Sequence, residues 1–343
     1  MEQKTIAVLT SGGDAPGMNA AVRAVVRTAI ANDMRVLGVR RGYDGLIHGD
    51  MIPMNLRSVS DIIQNGGTAL FTARSPAFMT EEGQKQAVDT CKKFDISGVV
   101  VIGGDGSFRG AKALCEKGIP CVAIPGTIDN DIACTEYTIG FDTAMNTAVE
   151  MVDRLRDTTE SHNRCSVVEV MGRRCGDIAL WAGVAGAADI ILVPERPLSW
   201  ADAANRLAAN KLRGQLTSIV MIAEGAGKAE DFCEYVRKYT DVEIKATVLG
   251  YIQRGGNPSA FDRVLAAKMG QRAVELLADE ANMRGTDRAG SRAAENNDLR
   301  ENFGYAVGIR ENRIISVPLA EAVSTRDCFD DKLYDLNSVM AKF

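Results

Sequence analysis

The feature that most constrains the fold of this chain is a pattern that recurs along it. A short apolar run rich in β-branched residues ends in glycine, often beside an acid, and a helical pattern follows, as in "IAVLTSGGD", "GVVVIGGDGS", "CVAIPGTIDND", "SVVEVMGRRCGD" and "SIVMIAEGAG". Runs of four to six apolar residues without alternation predict strands that are covered on both faces. Because such strands alternate with helices, the sequence predicts an α/β fold with mostly parallel sheets flanked by helices.

The length of the chain, 343 residues, exceeds what one hydrophobic core usually supports, so we expect two Rossmann-like lobes. The first lobe is predicted to comprise residues 1–140 and 254–325, and the second residues 141–253 and 326–343. The boundary is placed near Gly140, where "YTIGFDTAMN" begins a long helix, and "RGGNPSAFDRVLAAKMG" returns to the first lobe. The polar stretch 283–302 lacks periodicity and is predicted to be an exposed, mobile loop.

Composition excludes several classes of protein. A net charge of −5 argues against a nucleic-acid binder, and no segment approaches the roughly 18 apolar residues of a membrane span. The apolar run that ends before Thr10 is too short for a secretory signal, so we expect a cytoplasmic protein. With His48 and His162 as the two histidines, the chemistry must use carboxylates, basic residues, backbone amides and metal.

Two glycine-rich loops follow predicted strands. In "LTSGGDAPGMNAAVR" the glycines permit close approach of phosphate, although a plain strand-to-helix turn is the alternative. In "VIGGDGSFRG" three glycines surround Asp105, which would repel a bare phosphate but suits a magnesium ion that bridges carboxylate and phosphate oxygens. The alternative is a flexible turn. Neither the Walker triplet nor the spaced dinucleotide-binding fingerprint is present.

The stretch "PGTIDND" places Asp129 and Asp131 directly after a buried strand. Phosphoryl transfer to an alcohol needs a group that accepts the hydroxyl proton, and one of these carboxylates could do so; a solvated turn is the alternative. Arginines bind phosphate through two parallel hydrogen bonds, so basic residues at several strand ends suggest a second phosphorylated ligand rather than solvated surface. These residues are Arg74, Arg164, Arg173, Arg174, Lys245 and Arg254.

Together these blocks resemble the bacterial 6-phosphofructokinases along nearly the whole chain. "TSGGDAPGMNAAVR", "GGDGS", "PGTIDND", "SVVEVMGR" and, around Tyr251, "ATVLG" and "IQRGG" occur in the order and spacing of that family. The resemblance implies a phosphofructokinase-like fold and transfer of the γ-phosphate of ATP to the 1-hydroxyl of fructose 6-phosphate, a glycolytic reaction that uses Mg2+. The first lobe would bind the nucleotide and the second the sugar phosphate. It also implies a homotetramer whose sugar-phosphate sites are shared between subunits.

The resemblance assigns a role to each matching position. By this resemblance, Asp129 matches the base that accepts the proton of the sugar hydroxyl, and Asp105 matches the magnesium ligand. Thr127 and Asp131 match other residues of the loop that takes part in the reaction. Arg74 would help to neutralise the charge on the transferring group. The positions that match ATP contacts are Gly13, Arg74, Ser75, Gly104, Asp105, Gly106 and Ser107. The positions that match sugar-phosphate contacts are Thr127, Asp129, Met171, Gly172, Arg173, Glu224, Tyr251 and Arg254, with Arg164 and Lys245 reaching in from the neighbouring subunit.

Glycine at positions 106 and 126 favours ATP as the donor, because pyrophosphate-dependent relatives typically have aspartate and lysine there. Two departures stand in the sugar-phosphate set: Lys245 replaces an arginine, and Tyr251 stands where a histidine is common. The alternatives are a pyrophosphate-dependent enzyme and a non-catalytic sensor of sugar phosphate and nucleotide. NAD and lipid kinases share a "GGDG" loop but lack the later blocks, and a dehydrogenase is disfavoured by the absent fingerprint.

The family also has an effector site between subunits. Leu56, Gln215 and Leu216 fall where cations are expected, so we expect regulation by ADP or phosphoenolpyruvate to be altered or weak. The matching positions are Arg23, Arg27, Asp61, Arg156, Asp189 and Arg213.

Overall fold

The computed structural model describes residues 3–279, 304–324 and 329–341, and the loop predicted at 283–302 lies outside them. The strands are β1 (Thr5–Ser11), β2 (Arg35–Val39), β3 (Met51–Met54), β4 (Ile96–Gly103), β5 (Cys121–Pro125), β6 (Cys165–Val170), β7 (Ile190–Leu192), β8 (Ser218–Ala223), β9 (Ile244–Val248), β10 (Gly304–Arg310) and β11 (Arg313–Pro318). The helices are α1 (Met18–Ala31), α2 (Gly42–His48), α3 (Glu81–Lys93), α4 (Asp105–Glu116), α5 (Phe141–Ser161), α6 (Asp177–Ala185), α7 (Trp200–Leu212), α8 (Ala229–Tyr239), α9 (Ala260–Ala278), α10 (Leu319–Ala322) and α11 (Asp331–Met340). Short 3-10 turns span Ala77–Met79 and Gly250–Arg254.

The described residues divide into two compact units. The first contains the chain up to Thr127, Asp131–Gly140 and the residues from Arg254 to 324, and the second contains Ile128–Asn130, Phe141–Gln253 and residues 329–341. The sequence-based boundary had placed every residue up to 140 in the first lobe, whereas the structure groups the three residues Ile128–Asn130 with the second.

The first unit is built on a seven-stranded sheet in the order β11-β10-β5-β4-β1-β2-β3 among the described residues. Strands β2, β1, β4, β5 and β10 run parallel, and the antiparallel strands β3 and β11 lie at the two edges. The central strand β4 is buried over nearly its whole length because helices cover both faces, as its unbroken apolar run predicts.

The second unit has a four-stranded sheet in the order β7-β8-β6-β9, and all its described pairings are parallel. Its core is formed by side chains from β6, β8, α7 and α8, including Val167, Val220, Leu207 and Phe232. The predicted fold class is confirmed, because each of the five recurring sequence patterns forms a strand followed by a helix. Among the described residues, none of the helices combines the length and hydrophobicity that spanning a bilayer requires.

Candidate active site

The loops that follow β1, β4 and β5 meet at one edge of the first unit's sheet. The strands are parallel neighbours, so Ser11 pairs with Gly103 and Gly103 with Pro125 at their carboxyl ends. The amide of Gly126 donates to the carbonyl of Gly103 at 3.0 Å. A Cβ atom built on Gly104 would lie 3.4 Å from Cβ of Thr127, so the "GGDG" loop and the start of the "PGTIDND" loop are in contact.

The glycines of the "GGDG" loop meet two different requirements. A Cβ atom at Gly103 would lie 2.4 Å from the carbonyl oxygen of Ser11 and 2.4 Å from Oγ of Ser107, so this position has no room for a side chain. A Cβ atom at Gly106 would meet no protein atom within 4 Å. Gly103 therefore permits the packing of the loop, whereas Gly106 leaves open space beside it.

Asp105 is the first residue of α4, and its carboxylate is 34% exposed. It lies 2.9 Å from Nη2 of Arg109 one turn later, an exposed ion pair of the kind that contributes about 0.3–0.5 kcal/mol. An accessible carboxylate beside open space at Gly106 fits a magnesium ion, because Mg2+ usually takes one or two protein carboxylates and completes its shell with phosphate oxygens and water.

Side chains outside the predicted set hold the backbone of these loops. The hydroxyl of Thr72 donates to the carbonyl of Gly12 at 2.7 Å, and the hydroxyl of Tyr43 donates to the carbonyl of Ser107 at 2.6 Å. Burial raises the pKa of Tyr43, and the neighbouring thiols of Cys121 and Cys115 raise it further. The phenol therefore remains protonated and keeps donating.

The segment with Arg74 and Ser75 is fixed next to this edge. Thr72 binds Gly12, and Phe78 stacks on the ring of Tyr43 with 4.1 Å between the centroids. The side chain of Arg74 is exposed, whereas Oγ of Ser75 accepts from the amide of Phe78 at the start of the 3-10 turn. The first unit thus brings together the loops that contain all the positions predicted to contact ATP.

Arg254 lies in the first unit, against one of the predicted nucleotide positions. A Cβ atom at Gly13 would lie 3.2 Å from Cζ of Arg254, so the guanidinium covers the backbone of Gly13. Because Gly13 has no side chain, the guanidinium of Arg254 can pack against its backbone.

The reacting loop alternates between accessible and buried residues. Thr127, Asp129 and Asp131 are partly exposed, whereas Ile128 is 3% and Asn130 is 2% exposed. The three residues that were predicted to take part in the reaction are therefore all partly exposed, whereas the two residues between them are buried.

In the second unit, the loops after β6 and β8 are joined. The amide of Gly225 donates to the carbonyl of Gly172 at 3.0 Å, and Nε of Arg173 lies 4.0 Å from Oε1 of Glu224. Gly172 has φ 131°, and a Cβ atom there would lie 2.4 Å from the carbonyl oxygen of Cys175, so this turn requires glycine. The structure therefore brings Gly172, Arg173 and Glu224 together at the carboxyl edge of this sheet.

Gln253 connects two predicted sugar-phosphate segments and was not predicted as a site residue. Its side chain is fully buried, Oε1 accepts from the amide of Met171 at 3.2 Å, and Nε2 donates to the carbonyl of Gly250 at 2.9 Å. The turn that it fixes presents Tyr251, which is 78% exposed.

Arg164 and Lys245 lie at the opposite edge of the same sheet. Arg164 directly precedes β6, and Lys245 on β9 pairs with Ser166 near the beginning of β6. Met171 directly follows the six residues of β6, and at about 3.3 Å per residue it lies roughly 20 Å from Arg164 along the strand. One copy of this unit therefore does not bring Arg164 and Lys245 together with Met171, Arg173 and Glu224.

The positions predicted to form an effector site divide between the units. Arg23, Arg27 and Asp61 belong to the first unit, and Arg156, Asp189 and Arg213 to the second. Arg156 donates to the carbonyl oxygens of Gly186 and Ala187. Both carboxylate oxygens of Asp189 accept hydrogen bonds, one from Nε2 of Gln215 at 2.6 Å and one from the amide of Ile219 at 2.8 Å.

Comparisons with known proteins agree with this arrangement. A family model described as "Phosphofructokinase" matches residues 5–277. The chain is 52% identical over 338 residues to "ATP-dependent 6-phosphofructokinase" of Clostridium tetani and 49% identical over 338 residues to the protein of the same name from Alkaliphilus metalliredigens, covering 98% of this chain and 99% of each relative. The solved structure "Crystal structure of Pichia pastoris phosphofructokinase in the T-state" aligns with a TM-score of 0.83 and 32% identity over 94% of this chain, which spans only 38% of that longer chain.

Proposed function

Because this chain belongs to the phosphofructokinase family, we propose that it transfers the γ-phosphate of ATP to the 1-hydroxyl of fructose 6-phosphate, giving fructose 1,6-bisphosphate in glycolysis. One observation supports this reaction above others. The glycine-rich loop with Asp105 contacts the beginning of the loop with Asp129, because a Cβ atom built on Gly104 would lie 3.4 Å from Cβ of Thr127. A nucleotide loop beside a loop with accessible carboxylates suits phosphoryl transfer to a hydroxyl group.

The proposed roles follow from the chemistry of each group. Asp129 accepts the proton of the attacking hydroxyl, which an ordinary carboxylate can do when proton removal is late in a loose transition state. Thr127 and Asp131, in the same loop, orient the reacting groups. Arg74 places positive charge where negative charge accumulates on the transferring phosphoryl oxygens.

Asp105 would hold a magnesium ion as its carboxylate ligand. A magnesium ion held there would supply positive charge for the phosphate oxygens of the nucleotide. The backbone amides after Gly103 and the amino end of α4 contribute further positive potential to the same region. Arg109 is released from its exposed ion pair with Asp105 at little cost.

Two glycines support ATP as the phosphoryl donor. The open space at Gly106 accommodates a nucleotide, whereas a carboxylate at that position would repel its α-phosphate. A Cβ atom at Gly126 would lie 3.0 Å from Cγ2 of Ile102 and 3.4 Å from Cε of Met18, so a lysine there would require these side chains to move. The two relatives described above, at 52% and 49% identity, are named ATP-dependent enzymes.

The sugar-phosphate site is proposed to need a second copy of the chain. Glu224 accepts hydrogen bonds from sugar hydroxyls, Arg173 supplies positive charge, and the peptide groups of Met171 and Gly172 line the sugar. Arg164 and Lys245, at the far edge of the sheet, would serve the site of a neighbour. This arrangement is consistent with a homotetramer, and the proposed location is the cytoplasm.

Regulation at the family's effector site is proposed to be altered. Gln215 stands where a cation is common and donates to Asp189, whose second oxygen accepts from a backbone amide. Asp189 thereby has a structural role in fixing the start of β8. We expect ADP and phosphoenolpyruvate to shift the half-saturation for fructose 6-phosphate only weakly.

The substitution Asp129→Ser tests the proposed function. It keeps the loop polar but removes the proton acceptor, so kcat should fall at least 10²–10⁴-fold while both ligands bind almost as before. The measurement is ADP release coupled to formation of fructose 1,6-bisphosphate, with pyrophosphate as the competing donor and calorimetry for ligand binding.

Each result has a distinct meaning. A wild-type protein that turns over with pyrophosphate and not with ATP contradicts the donor assignment, and one that binds both ligands without turnover is a sensor. An Asp129→Ser variant that retains its kcat assigns the proton acceptor to another group, with Asp131→Ser as the next variant to measure.

A further inference from the structure

A buried side-chain pair anchors the reacting loop within the second unit. Nδ2 of Asn130 donates to Oδ2 of Asp177 at 2.9 Å, and the two residues are 2% and 3% exposed. Asn130 has φ 56°, a left-handed conformation that asparagine tolerates better than most residues. A buried hydrogen bond between an amide and a carboxylate is stronger than one between neutral groups, so this contact restrains the loop at the residue after Asp129.

Asp177 is itself held firmly in place. It is the first residue of α6, where the helix dipole favours a negative charge. The preceding residue, Gly176, donates its amide to Oε1 of Glu195 at 2.7 Å. A Cβ atom at Gly176 would lie 2.5 Å from Cγ1 of Val193, so the beginning of the helix packs closely on the chain after β7. The acceptor for Asn130 therefore has little freedom to shift.

Because Asp129 directly precedes Asn130, this hydrogen bond also restrains the orientation of the Asp129 carboxylate. Ile128 and Asn130 are buried, and Asp129 between them is partly exposed. If the side chain of Asn130 leaves Asp177, the peptide between Asp129 and Asn130 loses one of its restraints, and the carboxylate of Asp129 can change its orientation.

We propose that Asn130 and Asp177 form a positioning pair that holds the carboxylate of Asp129 in the orientation needed for proton acceptance. The inference rests on the proposed function of Asp129, but neither member of the pair is assigned to touch substrate. Misplacement of a reacting group by about 1 Å can reduce a rate by about 10²-fold without changing ligand contacts. The pair should therefore affect kcat and leave the two KM values nearly unchanged.

Asn130→Gly is the most informative single change, because glycine keeps the positive φ and removes only the amide. We expect kcat to fall about 10–100-fold, with KM for ATP and for fructose 6-phosphate within about threefold of the wild-type values. Asp177→Ala should give the same loss. Asp177→Asn retains an acceptor oxygen of the same shape and should restore kcat to within about threefold of wild type.

The double variant Asn130→Gly with Asp177→Ala tests whether the two residues act through their mutual hydrogen bond or each affect kcat independently. If the residues act through each other, kcat of the double variant matches that of either single variant, because the second change removes a contact that is already lost. Multiplied losses would instead indicate that each residue acts separately, and would contradict the proposal.

Asn337→Ala is the matched control, because its buried amide donates to the carbonyl of Ala188, beyond the other end of α6, at 3.2 Å. It should lower the melting temperature comparably and leave kcat unchanged.

If Asn130→Gly keeps the wild-type kcat, the proposed positioning pair is wrong, even when Asp129→Ser is inactive. An active Asp129→Ser overturns the proposed base instead, so the two failures can be distinguished. If Asn130→Gly does not fold, the comparison of Asp177→Asn with Asp177→Ala decides the question.

Discussion

The two units differ in which groups they expose at their proposed ligand-binding edges. In the first unit, the loops after β1 and β4 consist largely of glycine, and most of what they offer a ligand is backbone. In the second unit, the corresponding loops and the far ends of the strands offer side chains such as Arg173, Glu224 and Lys245. A backbone site is damaged by adding atoms, whereas a side-chain site is damaged by removing them.

The largest effect that this comparison predicts is that of Gly103→Ala in the first unit. The added methyl group would lie 2.4 Å from the carbonyl oxygen of Ser11, and neither β1 nor β4 can yield without breaking their pairing. We expect a loss of at least about 2–3 kcal/mol in the free energy of unfolding, together with loss of activity. Thermal melting followed by circular dichroism measures it.

Gly106→Ala is the matched control for that substitution. It adds the same methyl group in the same loop, but at a position with no protein atom within 4 Å. Because position 106 lies in α4, alanine should leave the melting temperature unchanged or raise it slightly. An equal loss of stability in both variants would contradict the explanation that close packing, which is present at position 103 and absent at position 106, demands glycine at 103.

The same contrast explains what the sequence could predict. The loops of the first unit are encoded locally, because the apolar run, the glycines and the acid stand within about ten residues. The strand, turn and helix could therefore be inferred from spacing, whereas nucleotide binding by the loop stays a prediction. The parallel pairing of β1, β4 and β5 then brings these loops together without any further information.

The supporting contacts of the second unit could not be inferred in this way. Asn130 meets Asp177 across 47 residues of sequence, and Gln253 meets Met171 across 82. The motifs "PGTIDND" and "IQRGG" contain Asn130 and Gln253, yet nothing in their spacing indicates where the partner lies. Likewise, the position of Lys245 beside the beginning of β6 became evident only when the register of β9 was known.

A subunit-mixing experiment tests the separation of the two ends of β6. One parent has Asp129→Ser, and the other has Arg164→Ala with Lys245→Ala. Each should lose at least about 100-fold in activity at low fructose 6-phosphate. In a symmetric assembly with shared sites, each site takes Asp129 from one chain and the two cations from its neighbour. After random mixing of equal amounts, about one quarter of the sites have both parts intact, so about one quarter of wild-type activity should return.

The control mixes each parent with itself after the same dissociation and reassociation, and it should remain inactive. Hybrids without activity, confirmed as mixed by mass spectrometry, would mean that all these residues serve a site within one chain. That result would contradict the proposed sharing and would require the carboxyl and amino ends of the sheet to act on different ligands.

Gln253→Leu has the smallest expected effect on activity, because it removes a support rather than a ligand contact. Leucine fills the space but leaves the amide of Met171 and the carbonyl of Gly250 without their buried partner, at roughly 1–3 kcal/mol for each group. The two segments should loosen, so KM for fructose 6-phosphate should rise about tenfold while KM for ATP stays near its wild-type value. Steady-state kinetics with each substrate varied in turn measures both constants, and Gln271→Leu on the exposed face of α9 is the control. An equal rise in both KM values would mean that Gln253 supports the whole chain rather than one edge of the second unit.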